Sequence, residues 1–391
     1  MRVSLFNTSF ALADGDCELE KQSALSFVTP GFIDTHIHAP QYSYAGTATD
    51  RPLMGAEGWL ESYTFPAESR LSGNVALTEE VYSKVVERTL RNGTTTALYF
   101  GTIDVGATKQ LADICAAKGQ RAMIGKVAMD RNAPDSYVET TAEGLRGTRA
   151  FIEYVLGLGL GLMLMPVVTP RFIPTCSPEL LKGLGELAAE YDCFVQSHCS
   201  ESVDEVAFTQ ALHPGEGSDT DIFKKHGLMR KGCMAHCVFC DDDDLEQFRK
   251  AKMGVAHCAL SNFYFAGGTF DARKAANAGV DVGLGTDVAG GYSPSMLNSM
   301  RTSVINSRNE VNWKESLFLA TQGGADALGL GDVVGSFEVG KKFDAVEFNA
   351  EGGGCFDVFK TDTAEDVFQK IMTNGDDRLI SKVWVNGQRR V

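Results

Sequence analysis

Two histidines stand one residue apart in "PGFIDTHIHAPQ" (residues 30–41), in a chain that has only seven histidines. Successive side chains of a β-strand point to opposite faces, so Asp34, His36 and His38 would share one face of a strand. Two imidazoles held side by side on a rigid strand form half of a typical metal site. An isolated HxH is equally consistent with a surface strand, so the other polar residues must decide between the two interpretations.

Further histidine and acidic side chains fall at the ends of later predicted strands. His198 is in "CFVQSHCSE", with Glu201 three residues beyond it. His236 is in "CMAHCVF", and Asp287 is in "VDVGLGTDV". Three imidazoles and one carboxylate form a ligand set that suits zinc, and Fe²⁺ is a chemical alternative. A water molecule bound to the metal would have its pKa lowered towards about 7. Asp287 could then accept the proton of that water, and Glu201 is placed to act as a general acid and base.

Eight short apolar segments alternate with amphipathic helical patterns along most of the chain. The strand candidates are residues 32–38, 94–101, 120–130, 161–171, 193–201, 233–239, 253–260 and 280–288. Strands that are apolar on both faces and alternate with helices predict an α/β fold with a parallel sheet, and eight of them predict a closed TIM-like (β/α)8 barrel. The chemistry of such a barrel lies at the carboxyl ends of its strands, where all the polar residues named above fall. An open doubly wound sheet is the alternative, but no glycine-rich phosphate turn follows the first strand.

The two ends of the chain have weaker, shorter strand patterns with glycine and Asn-Gly turns. We therefore predict a small β-sandwich domain formed by residues 1–29 and 335–391, beside a metal-dependent hydrolase barrel at residues 30–334. The long segment 39–75 is expected to fold over the pocket and exclude water.

Composition narrows the class of protein. Hydrophobic residues make up 44% and charged residues 22% of the 391 residues, as in ordinary globular proteins. The formal net charge of −15 argues against nucleic acid or an anionic membrane as the main partner. No apolar run has the roughly 20 residues of a membrane helix, and the start of the chain is interpreted as mature protein. The ten cysteines are too dilute for a disulfide scaffold and predict reduced thiols in a cytoplasmic protein.

Several longer motifs carry a more specific resemblance. They are "PGFIDTHIHAPQYSYAG", "YTFPAESR", "IGKVAMDR", "TPRF", "SHCSE", "MAHC", "AHCALSN" and "GLGTDVAGGYSPSML". Together they resemble the guanine deaminases of the amidohydrolase superfamily, over about residues 30–345. HxH with a late aspartate marks only the superfamily, whereas "HAPQYS", "YTFPAE", "TPRF" and "TDVAGGYS" narrow the match to the guanine branch.

The resemblance implies hydrolytic deamination of guanine to xanthine and ammonia by a zinc-activated water, in purine catabolism and salvage. The implied metal ligands, for one zinc per chain, are His36, His38, His198 and Asp287. The implied catalytic residues are Glu201, which would protonate the purine, His236, which would steady the water or substrate, and Asp287. The implied substrate-binding residues are Gln41, Arg171, Phe172, His198, Glu201, His236 and Asp287. The resemblance also implies a homodimer. Arg171 offers a donor fork to the O6/N7 edge of guanine, and Gln41 can both donate and accept hydrogen bonds.

Three features depart from the family pattern. The leader before the HxH strand is shorter than usual, which bears on the completeness of the β domain. Ala259 stands where the family usually has proline after "AHC", and Cys237 stands where glycine is common. None of these departures removes a predicted ligand.

Other histidines and one lysine have less specific contexts. His257 could be an extra ligand, but four ligands complete a mononuclear site, so a supporting role is favoured. His213 and His226 are interpreted as surface residues. Lys126 raises the alternative of a second metal, since dinuclear relatives carry a carboxylated lysine, but the ligand set indicates one metal.

Two short runs are interpreted structurally. "CVFC" at residues 237–240 is a CxxC without a second copy, which favours core packing over a metal or redox centre. "DDDD" at residues 241–244 precedes an amphipathic run, so it is expected to cap a helix.

Three other functions stay as alternatives. A zinc aminohydrolase acting on another purine, a pterin or an aminated heterocycle would share the chemistry but not the base contacts. A non-catalytic scaffold of the same fold would typically lose ligands, and this chain keeps them all. A nucleic-acid deaminase would need a basic groove that the net charge does not offer.

Overall fold

The computed structural model describes residues 25–47, 51–55, 57–307, 310–351 and 356–391. The strands of these residues form two sheets. Their bounds are β1 Ser26–Pro30, β2 Phe32–His38, β3 Thr94–Phe100, β4 Arg121–Ala128, β5 Leu164–Pro170, β6 Phe194–Cys199, β7 Gly232–His236, β8 Met253–His257, β9 Val282–Leu284, β10 Ala345–Asn349, β11 Ile380–Val385 and β12 Gln388–Arg389.

The predicted eight-stranded barrel is confirmed. Strands β2 to β9 are parallel and follow one another in chain order around the sheet. The first and last of them meet at their carboxyl ends, where the Asp287 N–H donates to the His36 carbonyl at 2.8 Å. The His38 N–H likewise donates to the Val288 carbonyl at 3.0 Å. These bonds nearly close the barrel and place the ends of β2 and β9 side by side.

Helices between the strands form the outer layer. The α-helices are α1 Phe65–Ser69, α2 Val75–Arg91, α3 Val105–Lys118, α4 Thr141–Gly157, α5 Pro178–Glu190, α6 Val203–Leu212, α7 Asp219–Lys225, α8 Asp242–Ala251, α9 Ala259–Ser261, α10 Ala272–Asn277, α11 Met296–Asn306, α12 Trp313–Leu319, α13 Gln322–Ala327 and α14 Ala364–Asn374. Short 3-10 helices span Ala39–Tyr44, Asp135–Tyr137, Gly161–Met163, Ile173–Thr175 and Asp377–Leu379, and π-helical turns span Leu60–Thr64 and Asn262–Ala266.

Side-chain caps set where several of these helices begin. The Ser177 hydroxyl accepts the N–H of Leu180 at the start of α5, just before a proline that suits the first turn. Asp241 and Asp244 form a capping box at the start of α8. The acidic run therefore caps a helix, as the sequence predicts.

The two ends of the chain contribute a second, antiparallel sheet in the order β1-β10-β11-β12. Gly31 joins β1 directly to β2, and its N–H donates to the Asp344 carbonyl at 2.9 Å. A Cβ at Gly31 would lie 2.2 Å from the Thr95 hydroxyl oxygen, so the close approach of sheet and barrel requires glycine. A β unit built from both ends is thus confirmed for the described residues. The share predicted for residues 1–24 lies outside them, and the domain limits at 29/30 and 334/335 stay a prediction.

A buried ion pair ties this sheet to the amino end of the barrel. Arg121, at the start of β4, donates to both carboxylate oxygens of Asp344 at 3.2 and 3.3 Å. Both side chains are buried. Among the helices of the described part of the chain, none has the length and apolar character needed to cross a membrane.

Candidate active site

Three imidazoles and one carboxylate meet at the carboxyl ends of β2, β6 and β9. The Nε2 atoms of His38 and His198 are 3.0 Å apart. Asp287 Oδ1 lies 3.2 Å from His36 Nε2 and 3.6 Å from His38 Nε2. All four side chains are buried. The structure therefore brings together the four residues that the sequence predicts as metal ligands.

The donor atoms of this cluster fit a divalent cation. Burial lowers the pKa of His36, His38 and His198 well below the usual value, which keeps these imidazoles neutral. Within the described part of the chain, His36 Nε2 and His236 Nε2 have no hydrogen-bond partner. A buried polar atom without a partner costs about 1–3 kcal/mol, and a cation bound to His36 Nε2 would remove that cost there. Three nitrogens and a carboxylate oxygen are a donor set that Zn²⁺ and similar ions accept.

Hydrogen bonds on the far ring nitrogens orient two of the imidazoles. His198 Nδ1 donates to the Arg171 carbonyl at 2.6 Å, which leaves the Nε2 lone pair facing the cluster. His236 Nδ1 lies 2.8 Å from Asn262 Oδ1 and donates to it, so its Nε2 points towards the acidic residues of the site. The role of Asn262 is not evident from the sequence, although "AHCALSN" contains this residue. Cys258 of the same motif places its sulfur within 4.8 Å of the ligand atoms of Asp287, His36 and His236.

Glu201 follows β6 in a tight turn that holds its carboxylate in the site. Ser200 has a left-handed backbone with φ +46°, which an L residue adopts only under constraint. The Ser200 N–H donates to Asp219 Oδ2 at 2.8 Å, and the Glu201 N–H donates to Glu205 Oε2 at 3.1 Å. Glu201 Oε2 lies 3.6 Å from His236 Nε2.

The surroundings of Glu201 favour its protonated form. Burial, and then the nearby charge of Asp287, raise the pKa of Glu201 well above its usual range. A carboxyl group that keeps its proton at a higher pH than usual suits general acid–base catalysis. The predicted role of Glu201 therefore has a physical basis in this environment.

The carboxyl groups that support this turn give a testable pH dependence of stability. Burial raises the pKa of Asp219 from 3.8 to about 7, so the folded state holds a proton that the unfolded state releases. The stabilisation is fully present below about pH 4 and is lost as the pH rises through about 7. We expect Asp219→Asn to weaken the fall in unfolding free energy between these pH values, as measured by urea unfolding. Asp243→Asn, at an exposed site on α8, should leave it unchanged, and equal slopes in both variants would contradict the assignment.

Gln41 and Arg171, predicted to bind the base, are fixed by one buried carboxylate. Glu68 accepts hydrogen bonds from Gln41 Nε2 at 2.8 Å, from Arg171 Nη1 at 2.7 Å and Nη2 at 3.2 Å, and from the Tyr137 hydroxyl at 2.8 Å. Gln41 Oε1 also accepts the N–H of Ala289 at 3.0 Å. Glu68 is part of the motif "YTFPAE". Its role cannot be predicted from the sequence, because the three residues that it binds are distant in the chain.

These groups line a single pocket above the ligand cluster. Its walls are formed by His38, Gln41, Leu53, Trp59, Leu60, Arg171, Phe172, His198, Glu201, Phe265, Asp287 and Gly290. Leu53, Trp59 and Leu60 come from segment 39–75, which confirms that the described part of this segment folds over the pocket. The rings of Trp59 and Phe265, which the sequence did not single out, lie 5.1 Å apart at one wall. His236 lies behind the pocket wall, fully buried.

The contacts of three other residues bear on the roles predicted for them. Lys126 Nζ lies 2.5 Å from both carboxylate oxygens of Glu139, away from the ligand cluster, which argues against a second metal held there. His257 faces the ring of Phe270 at 5.4 Å, as a supporting residue would. The surface position expected for His213 is wrong. Its side chain is buried, and its Nε2 lies 3.0 Å from Nη2 of Arg131.

Known proteins are similar to this chain in both sequence and fold. Residues 27–390 match the amidohydrolase family. Guanine deaminase from Dictyostelium discoideum is 42% identical over 93% of this chain and 82% of its own length, and the Homo sapiens enzyme is 42% identical over 96% and 85%. The crystal structure of guanine deaminase from C. acetobutylicum with bound guanine superposes with a TM-score of 0.86 at 31% identity, covering 93% of this chain and 87% of that one. The chain therefore belongs to the amidohydrolase family and, within it, to the guanine deaminases.

Proposed function

We propose that this protein catalyses the hydrolytic deamination of guanine to xanthine and ammonia. The observation that carries the proposal is one pocket in which Glu201 and the histidine cluster face a fixed pair of base-binding groups, Gln41 and Arg171. The relatives named guanine deaminases support the same substrate, since one of them has guanine in its active site.

The metal ligands in this proposal are His36, His38, His198 and Asp287, and the proposed ion is zinc. The converging neutral nitrogens and the carboxylate described above support this ligand set. When bound, the ion would supply Lewis-acid activation of the attacking water. Fe²⁺ accepts the same donors, so the metal content of the purified protein decides between the two ions.

Proton transfer is assigned to Glu201. Its carboxyl group, whose protonated form the pocket favours, delivers a proton to a ring nitrogen of guanine as water adds, so that C2 becomes tetrahedral without a full charge on the ring. The bond from C2 to the exocyclic nitrogen then breaks: the amine takes up the water proton held by Asp287 and leaves as ammonia, while the hydroxyl proton on C2 returns to Glu201. His236 Nε2, 3.6 Å from Glu201 Oε2, steadies the water, and Asp287 accepts its proton transiently.

The pocket fits a flat, neutral base. Glu68 holds the Arg171 guanidinium by two hydrogen bonds, and its remaining donors can meet the O6/N7 edge of guanine. The second Nε2 hydrogen of Gln41 stays free for the base, because the first is donated to Glu68. Phe172 and the rings of Trp59 and Phe265 supply apolar walls for the faces of the purine.

Three finer statements belong to the proposal. A role in purine catabolism and a homodimer follow from the resemblance to guanine deaminases. A cytoplasmic location follows from the reduced thiols expected for this cysteine content.

Ammonia release by the purified protein tests the proposed function. We expect release from guanine and little from adenine, cytosine, a pterin or 8-oxoguanine. Activity should disappear after a chelator strips the metal and return with one equivalent of zinc per chain. Release from a different base alone would keep the chemistry and overturn the substrate, whereas zinc binding without release from any base would overturn the enzyme assignment.

A further inference from the structure

Three thiols converge on the outer side of the barrel wall, behind the active site. Cys199 ends β6, Cys237 follows β7, and Cys240 lies in the loop before α8. Their sulfur atoms all lie within 4.8 Å of one another. Cys199 and Cys237 are buried, and Cys240 is half-buried. The sequence showed only the CxxC of residues 237–240, and the third sulfur comes from a strand that is distant in the chain.

The backbone is shaped to bring these sulfurs together. The Cys237 N–H donates to the Cys199 carbonyl at 2.9 Å, which ties the two strand ends. The Cys240 N–H donates to the Cys237 carbonyl at 3.2 Å, which closes a turn between the two sulfurs of the CxxC. Such a turn is the usual way in which a CxxC presents both thiolates to one ion.

Cys237 occupies a backbone position that favours glycine. Its φ of +52° is left-handed, and a residue with a Cβ pays about 1 kcal/mol or more there. If Cys237 served only to pack the core, glycine at this position would avoid the conformational cost. A thiol that serves as a ligand gives such a reason.

We propose that Cys199, Cys237 and Cys240 form a second metal site, separate from the catalytic one, that binds a soft divalent ion of the Zn²⁺ or Cd²⁺ class through three thiolates. At the usual Zn–S distance of about 2.3 Å, sulfurs on one ion lie about 3.8 Å apart, so each pair here needs to close by about 1 Å at most. Binding displaces the three thiol protons to solvent, and water or a nearby group completes the tetrahedron.

The charges around the thiols favour a cation. Asp219 and Asp244 lie near enough to act electrostatically on Cys240. Cys240, being half-buried, gives an ion a route from solvent. An ion held there would join the end of β6, between His198 and Glu201, to the start of the loop after β7.

Cadmium titration of the zinc-loaded holoenzyme, kept reduced, tests the proposal. We expect one additional ion per chain, with the near-ultraviolet charge-transfer absorption of cadmium thiolates. The four proposed catalytic ligands are nitrogen and oxygen atoms, and the cysteine variants separate the expected absorption from any contribution of Cys258, whose sulfur lies within 4.8 Å of the ligand atoms of Asp287, His36 and His236. Cys240→Ser and Cys237→Gly should each lose most of the absorption, while Cys193→Ser, just before β6, should keep it.

Alkylation provides a readout that needs no variant. Cd²⁺ should protect Cys240 from iodoacetamide in the native enzyme, as mapped by peptide mass spectrometry. The proposal is overturned if no second ion binds, if the absorption survives in both site variants, which would assign it to another thiol such as Cys258, or if Cys240 reacts equally with and without Cd²⁺. A disulfide among the three cysteines in the protein purified under reducing conditions would also overturn it.

Discussion

Replacing Glu201 by glutamine should lower kcat for guanine by about a thousandfold, the middle of the range for a lost general acid–base group. The amide keeps the shape of the side chain but cannot carry a proton between water and a ring nitrogen. The Glu201 N–H, which donates to Glu205 at 3.1 Å, is retained in the variant, so the turn should persist. We expect the metal content to equal that of the wild-type enzyme and KM to change little. Steady-state kinetics and metal analysis on the same preparation measure both quantities.

Glu186→Gln is a suitable control for the Glu201 variant. Glu186 is an exposed glutamate on α5 that forms a surface ion pair with Lys182, so its amide should leave kcat unchanged. If Glu201→Gln kept more than about a tenth of wild-type kcat with full metal content, proton transfer would have to be assigned to another group. Asp287 would then be the next residue to test, since it faces the same water.

Replacing Glu68 by glutamine should weaken both the pocket and the fold. Arg171 is buried, and loss of its only described carboxylate partner leaves an uncompensated buried charge that costs about 3–5 kcal/mol of unfolding free energy. Gln41 and Arg171 would also lose the bonds that fix them against guanine, and misplaced binding groups typically cost about a hundredfold in rate. We therefore expect kcat/KM for guanine to fall by about a hundredfold, with much of the loss in KM. Kinetics and urea unfolding measure the two effects separately.

Asp344→Asn separates the positioning role of Glu68 from simple destabilisation. Asp344 forms an equally buried carboxylate–arginine pair with Arg121, at the opposite end of the barrel. This variant should lose a similar amount of unfolding free energy but keep its KM for guanine. Equal changes of KM in the two variants would mean that Glu68 acts only through stability.

The residues predicted from the sequence are those whose position depends on one strand at a time. HxH side chains share a face because strands have a period of two, and strand-end residues meet because parallel strands in a barrel share a carboxyl end. His36 and His38 obey the first rule, and His198 and Asp287 join them under the second. The helix start at Asp241 could also be predicted from the sequence, because an acidic run before an amphipathic segment indicates the helix cap that is observed there.

What the sequence did not reveal depends on contacts between distant segments. Glu68 gains its role only from Gln41, Tyr137 and Arg171, which lie on three other segments of the chain. His213 is buried by Arg131, some eighty residues earlier in the chain, so its polar local context was misleading. No periodicity or spacing encodes such pairings.

The hydrogen bonds that join His36 to Asp287 and His38 to Val288 also constrain the order of folding and metal loading. The first two proposed ligands and the last come from opposite ends of the barrel sequence, so a nascent chain cannot assemble the full proposed set until residue 287 has left the ribosome. Contacts between such distant residues form late, because closing a long loop must precede them. Metal capture is thus coupled to the final closure of the barrel, and the metal-free enzyme should exchange its amide hydrogens fastest along the seam between β2 and β9.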